Sequence, residues 1–203
     1  HTLYKKPFVP GIQMADTSAG LIAAFSIAAS LFNREKTNRG NFIDVSMFNS
    51  ALSAIGMHIA KFSSMSDFNK VLIGKTPCYN IYETKDKKYA SLGSVEYKFW
   101  ESFCKSISRK DLLKRQFDSD ILPDLKSIFK SRTLKEWIGL SNEFDFCCEP
   151  VKDLNEVIKD NKESIVMMDG IAQAAFPAIL SSLKPSYKKS PKLGENTYEI
   201  LKN

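Results

Sequence analysis

The segment LIAAFSIAASLF, residues 21 to 32, constrains the fold more than any other stretch of this 203-residue chain. With its flanks it predicts a helix from about Ser18 to Lys36, on which Leu21, Ile22, Phe25, Ile27, Ala28, Leu31 and Phe32 leave almost no polar side. A helix that is apolar all round belongs inside a larger body. The continuous apolar run, Ala19 to Phe32, carries Ser26 and Ser30 and falls short of the roughly 20 residues that cross a bilayer, so no membrane partner is expected. Asp16, Thr17 and Ser18 stand ahead of the helix as caps, and REKTNRG ends it with charge and a glycine. The opening HTLYKKPFVPG predicts an extended, Pro-punctuated entry over residues 1–15, with no strand or helix of its own, and the first residue is His1 rather than Met. Since the first piece of chain cannot bury such a helix alone, missing partners and an N-terminal part ahead of it are expected.

Beyond the helix, NFIDVSM predicts a short strand and Phe48 to Phe62 a second helix, with Ala51, Leu52, Ile55 and Ile59 as its stripe. His58 sits beside that stripe with no acid near it in sequence and is read as a core or surface residue. FSSMSDFNKVLIGKTP has the composition of a linker. CYNIYE and KYASLG, joined by TKDKK, predict a hairpin. Helices are expected at about Tyr97–Ser108, Leu122–Ser131 and Leu134–Leu140, the last with Thr133 and Glu136 at capping-box spacing. FCCEPV predicts a strand, DLNEVIKD a short helix, SIVMMDG and AAFPAIL two strands, and GENTYEILKN a closing helix. The expected organisation is a helical portion of a large domain with a linker (1–74), a small α+β domain (75–165) and a C-terminal segment returning to the large domain (166–203).

Lys and Arg number 29 against 23 Asp and Glu, a net charge of +6. Such an excess suits a polyanionic small molecule. The basic residues are scattered, with no stripe of interleaved aromatics, so nucleic acid is not an expected partner. Cys78, Cys104, Cys147 and Cys148 fit neither a zinc site nor a disulfide framework, and are expected as buried, reduced thiols with no metal. A reducing compartment follows: the cytoplasm, or the mitochondrion in a eukaryotic source.

Two acids stand at similar junctions. Asp16 precedes the apolar helix, where a carboxylate ordinarily serves as a cap or first-turn charge. If Thr17 or Ser18 caps instead, Asp16 is free to face a cleft. Glu96 precedes YKFWESF and follows SLGS, in which Gly93 and Ser94 either form a tight turn or let a ligand approach the backbone. Met14, Met47 and Met57 are read mainly as core residues.

At these residues the chain resembles the α-methylacyl-CoA racemase branch of the class III CoA-transferase (CaiB/BaiF-type) superfamily. The resemblance rests on PGIQMADTSAGLIAAFSIAASLFNREKTNRGNFIDVSMFNSALS, on GKTPCYNIYETKDKKYASLGSVEYKFWESFCKSISRKDL, and on RTLKEW, CCEPV and LGENTYEIL, in that order. It implies an α/β fold, here part of a large domain plus a small α+β domain, without the family's N-terminal CoA-binding region. It implies an acyl-CoA substrate, no cofactor beyond the CoA moiety of that substrate, a place in fatty acid metabolism and an interlocked homodimer. Asp16 matches the family's catalytic aspartate, and Glu96 the glutamate that pairs with a catalytic histidine. Tyr79 falls where the small domain lines the acyl pocket, and Gly93 is expected as a second substrate-pocket residue. Neither His1 nor His58 matches the histidine.

The resemblance implies epimerisation of 2-methylacyl-CoA by removal and return of the α-proton. That reaction needs acid/base groups on both faces of the α-carbon and donors for the thioester oxygen. The alternative within the superfamily is CoA transfer between carboxylic acids, with Asp16 as nucleophile. A third expectation, for a chain of only these residues, is a non-catalytic binding protein.

Overall fold

Helix α1 (Met14–Thr37) begins a turn earlier than expected. In this computed structural model, which describes residues 9–64 and 71–202, the N-cap is Gln13, whose side chain makes no capping bond. Thr17 and Ser18 lie inside the helix rather than capping it, and Ser18 Oγ donates back to the Met14 carbonyl at 2.5 Å. The helix ends within REKTNRG, but Asn38, not the glycine, takes the left-handed position (φ 52°) and donates its N–H to the Arg34 carbonyl. The stretch 1–8 of the expected extended entry lies outside the described residues, as do residues 65–70 of the linker.

No residue of α1 is buried within the described structure, and Leu21, Phe25 and Phe32 are 68%, 74% and 65% exposed. Removing such a side chain from water is worth about 1.5–3 kcal/mol, so this surface calls for a cover. The helix is also longer than its apolar run and, by length and composition alone, is long and apolar enough to cross a membrane, unlike the stretch Ala19 to Phe32; the core helix of a soluble protein passes the same test.

Residues 39–46 form no strand. A strand needs a neighbour to take its backbone hydrogen bonds, and NFIDV has none among the described residues. Instead Ser46 caps α2 (Met47–Ala54), its Oγ accepting from the Asn49 N–H at 3.3 Å. Asn41 Nδ2 donates to Ser30 Oγ at 2.6 Å and ties this connection to α1. The single helix expected here is two: α3 (Gly56–Ser64) follows a break at Ile55, whose N–H turns to the carbonyls of Leu52 and Ser53. Met14, Met47 and Met57, read as core residues, are half exposed, because the helices that carry them are not enclosed here.

An α+β core follows a short 3-10 turn at Val71–Ile73. Strands β1 (Tyr79–Glu83) and β2 (Tyr89–Gly93) form the expected antiparallel hairpin. Thr84 N–H donates to the Lys88 carbonyl at 2.9 Å, and Lys87 (φ 59°) supplies the left-handed turn residue. Asp86 accepts from Thr84 Oγ1 at 2.6 Å and from the Leu134 N–H at 3.1 Å, which pins the loop to the start of the helix that begins at Leu134. The Thr84 hydroxyl and the Leu134 N–H hold the Asp86 carboxyl below its ordinary range.

Helices α4 (Tyr97–Ser106), α5 (Leu122–Phe129) and α6 (Leu134–Phe144) pack on one face of the hairpin, and β3 (Cys148–Pro150) joins the sheet in the order β1-β2-β3. The expected capping box is present at Thr133 and Glu136. The core is aromatic: Phe129 stacks between Tyr82 and Trp137 at 4.4 Å from each, and Phe146 meets Phe103 edge-on at 5.4 Å. Each buried polar tip finds a carbonyl, as burial requires. Tyr82 OH donates to Pro77, Trp100 Nε1 to Leu112 and Trp137 Nε1 to Phe129, at 2.7, 3.0 and 2.9 Å.

Contacts divide the chain into His1–Glu149 and Pro150–Asn203. The second unit holds α7 (Leu154–Asp160), capped by an Asp153/Glu156 box, then β4 (Ile165–Met168), β5 (Ile171–Ala174) and α8 (Thr197–Leu201). Strand β5 comes earlier than the expected AAFPAIL, because Asp169 (φ 50°) and Gly170 (φ 79°) turn the chain at once. Pro177 then has no N–H to give a ladder.

Candidate functional site

Alternation along the hairpin sends Tyr82, Ala90 and Leu92 into the core and turns Tyr79, Ile81, Ser91 and Gly93 to the other face. Tyr79 pairs directly with Gly93, and Ile81 with Ser91. With Leu72, Ile73 and Gly74 on one side and Cys147 and Glu149 on the other, these residues line a cavity of about 780 Å³. Gly74 (φ 71°) turns the chain into the strand, and its carbonyl accepts from Asn80 Nδ2 at 2.9 Å. The opposite wall is fixed by the Gly93 N–H donating to the Cys147 carbonyl at 2.7 Å and by Ser91 Oγ donating to the Glu149 carbonyl at 3.0 Å. Tyr79 and Gly93, singled out in the sequence, thus lie together on one cavity wall.

Glycine at 93 is not required by a turn, since its φ lies outside the left-handed region. Nor is it required by packing: a Cβ there would meet Cys147 Cβ at 3.8 Å, an ordinary contact. What the absent side chain leaves is room beside the cavity.

Cys147 and Glu149 drew no functional reading from the sequence. The expectation of four buried thiols holds for Cys78, Cys104 and Cys148 but not for Cys147, which is exposed. The signal lay in FCCEP: Phe146 and Cys148 point inward, so Cys147 and Glu149, two apart, share the outward side. Burial pushes the thiols of Cys104 and Cys148 up to about 12. Partial burial, and then the Glu96 and Asp145 carboxylates, raise the Cys147 thiol as well.

Glu96 is the N-cap of α4 in extended conformation (φ −73°, ψ 137°), yet its side chain makes no capping bond. The junction is held from behind by Gln116 Nε2, which donates to the carbonyls of Ser94 and Val95 at 2.9 and 2.5 Å. Ser94 Oγ is buried there without a hydrogen-bond partner among the described residues. Glu96 is exposed and does not line the cavity, though its charge is felt by Cys147 in the cavity wall.

Asp16 occupies the first turn of α1 and is exposed. Its carboxylate forms no hydrogen bond or ion pair among the described residues. No residue of α1 lines the cavity, so the described contacts bring Tyr79 and Gly93 together, place Glu96 beside them, and leave Asp16 apart. His58 is half-buried on α3.

The family model of CoA-transferase family III matches residues 2–197. Among characterised relatives, the chain is 30% identical over 214 residues to alpha-methylacyl-CoA racemase of Homo sapiens, covering 97% of this chain and 56% of that protein. It is 24% identical to (R)-2-hydroxy-4-methylpentanoate CoA-transferase of Clostridioides difficile, covering 93% of this chain and 53% of the other. The hypothetical protein Rv3272 from Mycobacterium tuberculosis shares the fold with a TM-score of 0.79 at 19% identity, over 96% of this chain and 57% of that one. The chain therefore spans about half the length of the relatives it matches.

Proposed function

The chain belongs to CoA-transferase family III, and we propose that it supplies the Asp16 helix and the acyl pocket of an acyl-CoA isomerase that epimerises 2-methylacyl-CoA thioesters. The observation that carries this reading is the cavity on the β1-β2 face, with Tyr79 and Gly93 paired in its wall and the uncapped Glu96 carboxylate three residues further on.

In the proposed reaction Asp16 takes the α-proton as general base. The electron pair left on carbon delocalises onto the thioester oxygen as an enolate, which N–H donors stabilise. A histidine outside these 203 residues, held by Glu96, returns a proton to the opposite face. Asp16 suits the task because, among the described residues, neither a cap nor an ion pair occupies its carboxylate. The same reading makes the working protein an interlocked homodimer in a reducing, cytoplasmic compartment and places it in fatty acid metabolism. No cofactor beyond the CoA moiety of the substrate is needed.

The free carboxylate of Asp16 equally supports a second reading, CoA transfer through an Asp16 acyl anhydride and then an aspartyl-CoA thioester. Glu96 favours the isomerase. The native protein, incubated with a 2-methylacyl-CoA in deuterated water without an acceptor acid, is expected to incorporate deuterium at the α-carbon and lose stereochemistry. No incorporation, together with a hydroxylamine-trapped adduct on Asp16, would establish the transferase.

A further inference from the structure

Taking the cavity as the acyl pocket, we propose that Glu149 makes it selective for uncharged acyl chains and excludes thioesters of dicarboxylic acids. The inference rests on the acyl-pocket reading above and assigns its substrate class from the polar atoms of the wall.

The amide of Asn80 is committed: its Nδ2 donates to the carbonyls of Gly74 and Thr76 at 2.9 and 3.4 Å, and its Oδ1 accepts from the Ile81 N–H at 2.9 Å. The Ser91 hydroxyl donates to the Glu149 carbonyl, and the Gly93 N–H to that of Cys147. Leu72, Ile73 and Ile81 present hydrocarbon, which leaves the neutral hydroxyl of Tyr79, the thiol of Cys147 and the carboxylate of Glu149. Among the described residues, Glu149 is the one charged residue in the lining, and no Lys, Arg or His accompanies it there. An alkyl chain entering this space loses only water contacts. A chain ending in a carboxylate would meet like charge and, among the described lining residues, no cation. Lys98 acts on the Cys147 end of the wall but does not line the cavity, and Lys126 and Lys130 line a second cleft beside Ile81, where Lys130 is paired with Glu83 at 2.7 Å.

Cys147 is a built-in reporter, being the exposed cysteine of the four. Iodoacetamide alkylation of Cys147 in the 203-residue chain, followed by peptide mass, is measured against two probes. Both are N-acetylcysteamine derivatives in which a thioether ketone replaces the thioester; one carries a six-carbon alkyl chain, the other the same chain ending in a carboxylate. The alkyl probe is expected to protect Cys147 at about fivefold lower concentration than the carboxylate probe, the size of the repulsion between two unit charges about 4 Å apart in water. In Glu149→Gln the gap should close, with the alkyl value unchanged. A gap that survives Glu149→Gln, or a carboxylate probe that binds the wild type better, overturns the role of Glu149 while leaving the acyl pocket in place. Protection by neither probe overturns both.

Discussion

Trp137→Ala is expected to destabilise the α+β core by about 3–5 kcal/mol, the range for removing a fully buried large aromatic. Total stabilities of domains run about 5–15 kcal/mol, so the variant should unfold at a much lower urea concentration and lose near-ultraviolet dichroism first. The reason is the position of Trp137. It is fully buried, its ring stacks on Phe129 at 4.4 Å, and its indole N–H occupies the Phe129 carbonyl. Phe129 in turn stacks on Tyr82 in β1, the strand that carries Tyr79 and Ile81 into the cavity wall. Loss of Trp137 therefore loosens the floor on which the cavity stands. A change under about 1 kcal/mol would mean that the aromatic stack does not hold the hairpin.

The second large effect is chemical. Asp16→Asn in the native protein is expected to slow α-proton exchange by about 10²- to 10⁴-fold, the usual contribution of a positioned acid/base group. The thermal midpoint should stay within experimental error, because the Asp16 side chain is exposed and makes no bond among the described residues that the amide would break. Exchange at the wild-type rate would remove Asp16 from the mechanism.

Local chemistry made much of this fold readable from the chain. The β1-β2 hairpin follows from alternating strands around a polar turn, and α6 begins where Thr133 and Glu136 can cap each other. Errors arose where several local solutions compete. Asp16, Thr17 and Ser18 are all good N-caps, yet the helix starts ahead of them at Gln13. NFIDV has strand-forming residues but no partner to pair with. The Asp169–Gly170 dipeptide is a hairpin turn that outranks the later apolar run AAFPAIL. In the site, Tyr79 was marked by the family resemblance and Gly93 by the small residues of SLGS, whereas Cys147 and Glu149 reach the same cavity only through the pairing of β3 with β2. Such long-range pairing leaves no mark on a single strand's sequence, beyond the alternation in FCCEP. The all-round apolar character of α1 was legible as a need for cover; α2 packs against part of the helix, and Leu21, Phe25 and Phe32 stay exposed among the described residues.

The central claim is that Asp16 and Glu96 serve one acyl thioester in the assembled protein. Its most direct test is the crystal structure of the native protein with a 2-methylacyl-CoA bound. The account places the α-carbon between Asp16 and a histidine hydrogen-bonded to Glu96, each acid/base group within about 3–3.5 Å of the reacting atoms, and the acyl chain against Tyr79 and Gly93. Carboxylates of Asp16 and Glu96 opening onto separate surfaces, with the thioester near neither, would contradict it.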